Sequence, residues 1–109
     1  MAPERRTSPR APVRQRVYCE TDAYTLYVQT VNMSEGGMFL RASTPPPGSR
    51  YRISFTDEEG GEVVAEAEPV WIRGGVEPGV GVRFLSFERG EDHYREFVRR
   101  HAVDPDATE

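Results

Sequence analysis

Residues 51–73 read YRISFTDEEGGEVVAEAEPVWIR, and this stretch indicates the fold class more clearly than any other. Residues 51–55 alternate apolar and polar side chains, which is the period-2 pattern of a half-buried strand. The acidic, glycine-rich turn at 57–61 reverses the chain, because glycine tolerates the backbone angles of a tight turn. A long segment from 63 to 73 follows, with Pro69 as the expected bend, since proline cannot donate to a central ladder. The stretch therefore predicts an antiparallel hairpin.

Short extended segments of the same kind lie on both sides of this hairpin. On the N-terminal side they span residues 13–20, 24–31 and 37–42, and on the C-terminal side residues 80–84 again alternate. About six short strands at this spacing are typical of an antiparallel barrel or sandwich. We therefore predict a fold dominated by β structure, a six-stranded antiparallel β-barrel.

The C-terminal part of the chain changes to a helical period. Apolar and aromatic residues fall at i, i+3, i+4 and i+7, which places them on one face of a helix. The helix is expected to end near Val103, because the acidic, proline-containing tail cannot continue it. We predict a C-terminal α-helix that covers a barrel mouth or sheet edge with its apolar face. The residues on that face are Tyr94, Phe97, Val98 and His101.

The charge of the chain is distributed unevenly between its N-terminus and the rest. Residues 1–16 carry five arginines and one acidic residue, whereas the remaining 93 residues carry nine arginines and seventeen acidic residues. Residues 1–11 contain almost nothing apolar, so they cannot bury enough surface to offset an ordering entropy of ~1–2 kcal/mol per residue. We predict a flexible basic arm over 1–11, a barrel with its helix over 12–103, and a disordered tail over 104–109. A basic arm on an acidic body indicates an anionic partner that binds at the arm.

Composition and motif content exclude several functional classes. The chain has 109 residues, enough for one domain. No apolar run approaches the ~18 residues that cross a bilayer and no signal peptide is evident, so we expect a cytoplasmic location without membrane insertion. Cys19 is the only cysteine, which excludes an intrachain disulfide and a cysteine-based zinc site. His93 and His101 lack the i,i+4 spacing of a metal-binding helical pair, and no nucleophile elbow is present, so we predict neither a metal site nor an enzyme.

Two short motifs carry residue types that suit a small anionic ligand. Residues 6–10 read Arg-Thr-Ser-Pro-Arg, an Arg-x-x-x-Arg element directly before the first strand. Residues 32–37 read Asn-Met-Ser-Glu-Gly-Gly, an Asn-x-Ser-x-x-Gly element at a strand boundary. Taken alone, the second element is more simply explained as a polar turn or bulge between two strands.

In this order and on this strand pattern, the two motifs together resemble those of the PilZ domain, the bacterial receptor module for the second messenger cyclic di-GMP. The resemblance extends over about residues 4–102 and includes Val70-Trp71, residues 81–84 and the final helix. It implies that cyclic di-GMP is the ligand and that no other cofactor is needed. The ligand-binding residues that it implies are Arg5, Arg6, Arg10, Asn32, Ser34, Gly36 and Gly37.

The chemistry of these side chains fits a cyclic dinucleotide, which carries two anionic phosphates and two guanines. Guanine presents O6 and N7 as a paired acceptor edge, which a guanidinium matches with two donors. Its N1–H and N2–H₂ donors need oxygen acceptors, which Asn32 and Ser34 provide, while Gly37 is expected to let the backbone approach the ligand closely. The neutral Asn32 gives up the charge assistance of the Asp that family members often have. An arginine at position 5 resembles members that bind two stacked ligands, so an intercalated dimer is one expected form.

The resemblance implies a receptor that orders its arm on ligand binding and acts through a downstream partner protein, in motility, exopolysaccharide or biofilm control. Two alternatives remain open from the sequence. A degenerate PilZ-type domain would act as a protein-interaction adaptor that does not bind cyclic di-GMP. A small barrel would bind single-stranded nucleic acid through its arm, but a net charge of −8 over residues 17–109 would repel a long polyanion, so we expect no nucleic-acid partner. Monomer and homodimer are both compatible with the sequence.

Overall fold

The structure, a computed structural model, describes residues 10–103 and contains six strands followed by one helix. The strands form a closed barrel in the order β1–β2–β3–β6–β5–β4, and each neighbouring pair of these strands is antiparallel. The predicted six-stranded antiparallel barrel with a C-terminal helix is therefore confirmed. The elements are β1 (Arg16–Glu20), β2 (Thr25–Ser34), β3 (Gly37–Arg41), β4 (Tyr51–Thr56), β5 (Glu62–Arg73), β6 (Gly79–Arg89) and α1 (Glu91–His101).

The barrel interior follows from the alternation of side chains along the strands. In β4, Tyr51, Ile53 and Phe55 are buried while Arg52 is exposed, as the period-2 pattern predicts. Cys19 is also fully buried, in β1. Burial of apolar surface in this single core stabilises the fold.

Two strands are longer than the sequence pattern indicates. β2 continues to Ser34 and β6 continues to Arg89. Register shifts interrupt the strict alternation of side chains in both strands, so the sequence pattern does not show their full length. In β2 the register with β3 jumps from Thr30 to Asn32, so that Thr30 and Met33 both point into the core although they are three residues apart. One of three shifts between β5 and β6 lies beside Pro69, where the bend was predicted.

The helix packs its apolar face on the barrel core. Tyr94, Phe97 and Val98 are buried, and the Tyr94 ring meets Phe84 edge to face at 5.2 Å. The helix ends at His101, two residues before the predicted end. At 11 residues this helix is too short and too polar to cross a membrane, and residues 10–103 contain no other helix.

The N-terminal segment joins the barrel earlier than the predicted boundary of the arm. Ala11 is fully buried and forms a bridge with Met33, and Arg10 forms a bridge with Val103 just after the helix. The two described ends of the chain therefore meet. The remainder of the predicted arm, residues 1–9, and the predicted tail, residues 104–109, lie outside the described residues.

Candidate ligand-binding site

The second motif occupies the hairpin between β2 and β3. Asn32 and Ser34 are among the last residues of β2, and Gly37, which begins β3, pairs with Ser34. The polar turn and the bulge expected from the sequence are both present, since Glu35 and Gly36 form the turn and the register shifts before Asn32. The bulge leaves Asn32 half-buried on the outer side, between the buried positions on its strand.

The first motif contacts the second through Arg10. The Arg10 Nη1 donates a hydrogen bond to Asn32 Oδ1 at 2.8 Å, across 22 residues of sequence. The Arg10 backbone is held in place because the Val103 amide donates to its carbonyl at 3.0 Å. Both side chains keep further hydrogen-bonding capacity, since a guanidinium has five N–H donors and an amide has a second lone pair and an NH₂ group. Arg5 and Arg6 lie outside the described residues.

Tyr94 fixes the base of the hairpin from inside the barrel. Its hydroxyl lies 2.7 Å from the Ser34 carbonyl oxygen and 3.0 Å from that of Gly37, and it donates to this pair of acceptors. Burial raises the pKa of Tyr94 well above its usual value, so the hydroxyl stays a donor. The sequence places Tyr94 only on the apolar face of the helix, and its contact with the motif has no local sequence signal.

The Ser34 side chain is buried and donates a long hydrogen bond, 3.4 Å, to the Gly37 carbonyl. At this length the bond is weak, and the hydroxyl oxygen still has lone pairs with which to accept. Ser34 also lines the cavity beside Arg10, so its hydroxyl is placed where a donor group of a ligand could reach it.

The two glycines of the motif have different surroundings. A Cβ at Gly37 would collide with the Val82 carbonyl oxygen of β6, whereas a Cβ at Gly36 would have no other atom within 4 Å. The close approach that the sequence analysis assigned to Gly37 and a ligand is thus an approach between two strands of the barrel. The open position belongs to Gly36.

Glu35 ties the turn to the helix. Its carboxylate accepts hydrogen bonds from Arg99 at 3.0 Å and from Arg95 at 3.5 Å. The hydrogen bond from Arg99 is the main reason why the pKa of Glu35 lies below its ordinary value. Two guanidinium groups therefore compensate the one acidic side chain of the turn, so that it opposes an anionic ligand less than a free carboxylate would.

A cavity of about 190 Å³ opens beside these residues. Its opposite wall comes from the paired strands β5 and β6 and includes Trp71, which stacks on Phe39 with ring centroids 5.0 Å apart. Gly81 makes room for this indole, because a Cβ there would collide with it. The Trp71 side chain remains 45% exposed, and an exposed aromatic face of this kind can stack on a base. The cavity is lined by Arg10, Ser34, Gly36, Gly37, Met38, Phe39, Val70, Trp71, Gly81, Val82 and Arg83.

The structure thus brings Arg10, Asn32, Ser34, Gly36 and Gly37 together at one end of the barrel. Sequence reasoning treated Trp71 and Arg83 as framework positions and missed that they line the same cavity. Their only signal was the resemblance at Val70-Trp71 and residues 81–84.

Comparison with known families decides the assignment, because the model of the PilZ domain matches residues 4–100. The chain belongs to the PilZ domain family. PilZ domains are binding and adaptor modules rather than enzymes. A search of curated proteins gives no significant match.

Three solved structures share this fold. The Bacillus subtilis inhibitor of motility, MotI/DgrA, aligns with a TM-score of 0.72 at 14% identity and covers 86% of this chain, which spans 49% of that protein. The PilZ domain of Escherichia coli YcgR, solved with c-di-GMP, aligns at 0.66 and 22% identity, covering 89% of this chain and 91% of its own. The PilZ domain of CeSA from a cellulose-synthesizing bacterium aligns with a TM-score of 0.61 at 20% identity, and the alignment covers 84% of this chain and 95% of that one. The likeness to these structures concerns the fold.

Proposed function

We propose that this PilZ protein is a cyclic di-GMP receptor that binds the ligand in the cavity between the β2–β3 hairpin and Trp71. The observation that carries the proposal is the hydrogen bond of 2.8 Å between Arg10, which lines that cavity, and Asn32, because this bond joins the two motifs beside the cavity. The solved complex of the YcgR PilZ domain with c-di-GMP supports the same ligand class.

The chemical roles follow from what each group can donate or accept. The remaining donors of Arg10 suit a phosphate or the O6/N7 edge of guanine. The amide oxygen of Asn32 and the hydroxyl of Ser34 suit the guanine N–H donors, and Gly36 leaves the room that a base needs. Arg5 and Arg6 are proposed to complete the phosphate contacts.

Ordering of the arm on binding is part of the proposal. Fixing six residues would oppose binding by ~6–12 kcal/mol. Several charge-assisted hydrogen bonds of ~1.5–3 kcal/mol each, together with stacking on Trp71, offset that entropy. A ligand that both motifs contact would thereby change the surface that a partner protein meets.

We propose that the output passes to a downstream partner protein in the cytoplasm, in motility, exopolysaccharide or biofilm control. Similarity to an inhibitor of motility and to a domain from a cellulose-synthesizing bacterium supports this range of outputs. The partner recognises the receptor with cyclic di-GMP bound, and this chain performs no catalytic step.

Titration calorimetry with cyclic di-GMP tests the site directly. We expect Arg10→Ala to weaken binding at least tenfold, in line with the loss of ~1.5–3 kcal/mol of charge-assisted hydrogen bonding. Arg50→Ala is the matched control, because Arg50 is an exposed arginine that pairs with Glu66 and does not line the cavity, and we expect it to bind normally. A stoichiometry of two ligands per chain would identify the intercalated dimer.

Two results would contradict the proposal. Equal affinities of the wild type and Arg10→Ala for cyclic di-GMP would mean that the first motif does not bind the ligand. Absence of any binding heat would favour the adaptor that does not bind cyclic di-GMP. A gel shift with single-stranded nucleic acid at low salt tests the second alternative, a barrel that binds nucleic acid through its arm.

A further inference from the structure

A second, larger cavity of about 540 Å³ lies at the other end of β2 and β3. Its wall includes Arg16 of β1, residues 26–29 of β2, and residues 41–44, where β3 ends and the chain turns away. We name it the β2 groove. None of its lining residues lines the candidate cyclic di-GMP site.

The β2 groove contains an unpaired strand edge. Residues 25–29 of β2 pair with β1, but β3 pairs with β2 only from Gln29 onward, so within the described chain residues 25–28 have a strand neighbour on one side only. Past Arg41 the chain leaves β2, because the Ala42 amide donates to the Pro78 carbonyl instead. An unpaired edge of this kind offers N–H and C=O groups to another extended chain.

The direction of the backbone amides in β2 is consistent with an unpaired strand edge that faces the groove. The Thr30 amide donates to the Gln15 carbonyl on the β1 side. Since amides alternate in direction along a strand, the amides of Val28 and Leu26 also point toward β1, and that of Tyr27 points into the groove. Leu26 and Val28 are half-buried and give the groove an apolar floor.

The charges around the β2 groove are positive. Arg16 and Arg41 both lie in register with Gln29, one on each side, and neither pairs with a carboxylate within residues 10–103. Most other described arginines do pair with one, and no acidic side chain of the described residues lines the groove. The Arg16 guanidinium lies 5.5 Å from the centroid of the Tyr27 ring, which holds it at the rim.

We propose that the β2 groove binds an extended, acidic segment of a partner protein, which adds to β2 as a further strand. The free edge provides main-chain hydrogen bonds, the apolar floor takes alternate side chains, and Arg16 and Arg41 pair with carboxylates. A nucleic acid is the less favoured occupant, because it cannot form the main-chain ladder and the chain as a whole carries a net charge of −4. This docking surface stands apart from the ligand site and does not require that cyclic di-GMP binds.

A titration of the ¹⁵N-labelled protein with an acetylated, amidated peptide of alternating glutamate and valine, six residues long, tests the groove by NMR. We expect the shifted amides to cluster at residues 24–29 and 41–44 and the binding to weaken with salt. Arg16→Glu and Arg41→Glu should each weaken it at least about threefold. Arg89→Glu, an exposed arginine outside the groove, is the control and should leave it unchanged.

Two further peptides have the same side chains but carry N-methyl groups on alternate amides, one peptide for each of the two possible registers. They separate strand addition from simple charge attraction. We expect one of the two methylation registers to abolish binding. It is overturned if both methylated peptides bind normally, if a lysine–valine peptide binds equally well, or if millimolar acidic peptide shifts no groove amide. Binding of an oligothymidylate in the groove would assign it to nucleic acid instead, and a dimer in sedimentation that Arg41→Glu dissociates would assign it to a second copy of the chain.

Discussion

Gly36 and Gly37 are neighbours in sequence, but the barrel uses them differently. Gly37→Ala would press a methyl group on the Val82 carbonyl, whereas Gly36→Ala would add a methyl group in open space at a backbone angle that alanine tolerates. We expect Gly37→Ala to lower the free energy of unfolding by ~1–3 kcal/mol, as overpacking does. We expect Gly36→Ala to change it by less than ~0.5 kcal/mol.

If cyclic di-GMP occupies the cavity as proposed, its affinity should fall more in Gly36→Ala than in Gly37→Ala, which is the opposite of the order expected for stability. Gly36→Ala should raise the Kd for cyclic di-GMP severalfold, because the added methyl group takes up room beside the turn. Urea denaturation and calorimetry on the same two variants measure both quantities. A stable Gly36→Ala protein with wild-type affinity would place the ligand elsewhere.

Tyr94 connects stability with the site at the scale of one hydroxyl group. Tyr94→Phe removes the donor to the Ser34 carbonyl and leaves the Gly37 carbonyl with the weak side-chain bond from Ser34, so it should destabilise the fold by ~1–3 kcal/mol. Tyr51→Phe is the matched control, since its buried hydroxyl donates to the Pro46 carbonyl at 2.8 Å, away from the hairpin. We expect both to lower Tm, but only Tyr94→Phe to weaken cyclic di-GMP binding. Equal affinities in the two variants would show that the hairpin holds its shape without this hydroxyl.

At the scale of elements, the ion pairs of Glu35 join the β2–β3 hairpin to the helix. The hydrogen bond from Arg99 lowers the pKa of Glu35 below its ordinary 4.5. A lowered pKa means that the folded state binds its proton less tightly than the unfolded chain does. The contribution to stability is therefore present above about pH 4.5 and is lost as the pH falls through the folded-state pKa.

Glu35→Gln removes this pH-dependent contribution. We expect a small decrease in Tm at pH 7, since the partner arginines are exposed, and we expect this decrease to shrink as the pH falls through the folded-state pKa of Glu35, because the wild-type carboxyl then becomes protonated too. Glu88→Gln, which removes a carboxylate bound to Arg52 on β4, should show the same pH dependence. Only Glu35→Gln should affect ligand affinity. A difference from wild type that does not shrink as the pH is lowered would exclude the ionised carboxylate as its cause.

Local pattern predicts the elements where burial alternates regularly and fails where the register shifts. Residues 51–55 show the strict alternation of β4, so the strand could be read from the sequence. The second half of β6 could not, because Phe84 and Phe87 are three residues apart and the shifts between β5 and β6 hide the period. These shifts depend on the partner strand, which a single segment of sequence does not contain.

The site shows the same division between local and long-range information. The polar turn after Ser34 is visible in the sequence, but the contact of Arg10 with Asn32 spans 22 residues and was reached only through the resemblance to a family. Trp71 was assigned to the framework, because its place beside the motif depends on how β5, β6 and β3 meet in the closed barrel.

At the scale of the whole molecule, Cys19 reports on opening of the barrel. Its side chain is fully buried, and burial raises the pKa of the thiol to about 12, so the reactive thiolate forms only when the barrel opens. We expect a disulfide reagent to label the folded protein far more slowly than the denatured chain. Cyclic di-GMP at 100 times its Kd should slow the labelling about 100-fold, because binding stabilises only the folded state.

Labelling that remains equally fast with ligand would mean that β1 opens locally without release of the ligand. The urea-denatured protein is the control, because its thiol should react at one rate with or without cyclic di-GMP.

The bridge between Arg10 and Val103 brings the entry and the exit of the described chain to one spot beside the ligand cavity. Chains whose ends lie close together tolerate circular permutation. A permutant that joins residue 109 to residue 1 and opens at the exposed Gly74–Gly75 loop should retain the barrel. A fluorescent reporter fused directly after Val103 would begin beside the cavity that we propose for cyclic di-GMP, so its emission could report binding there.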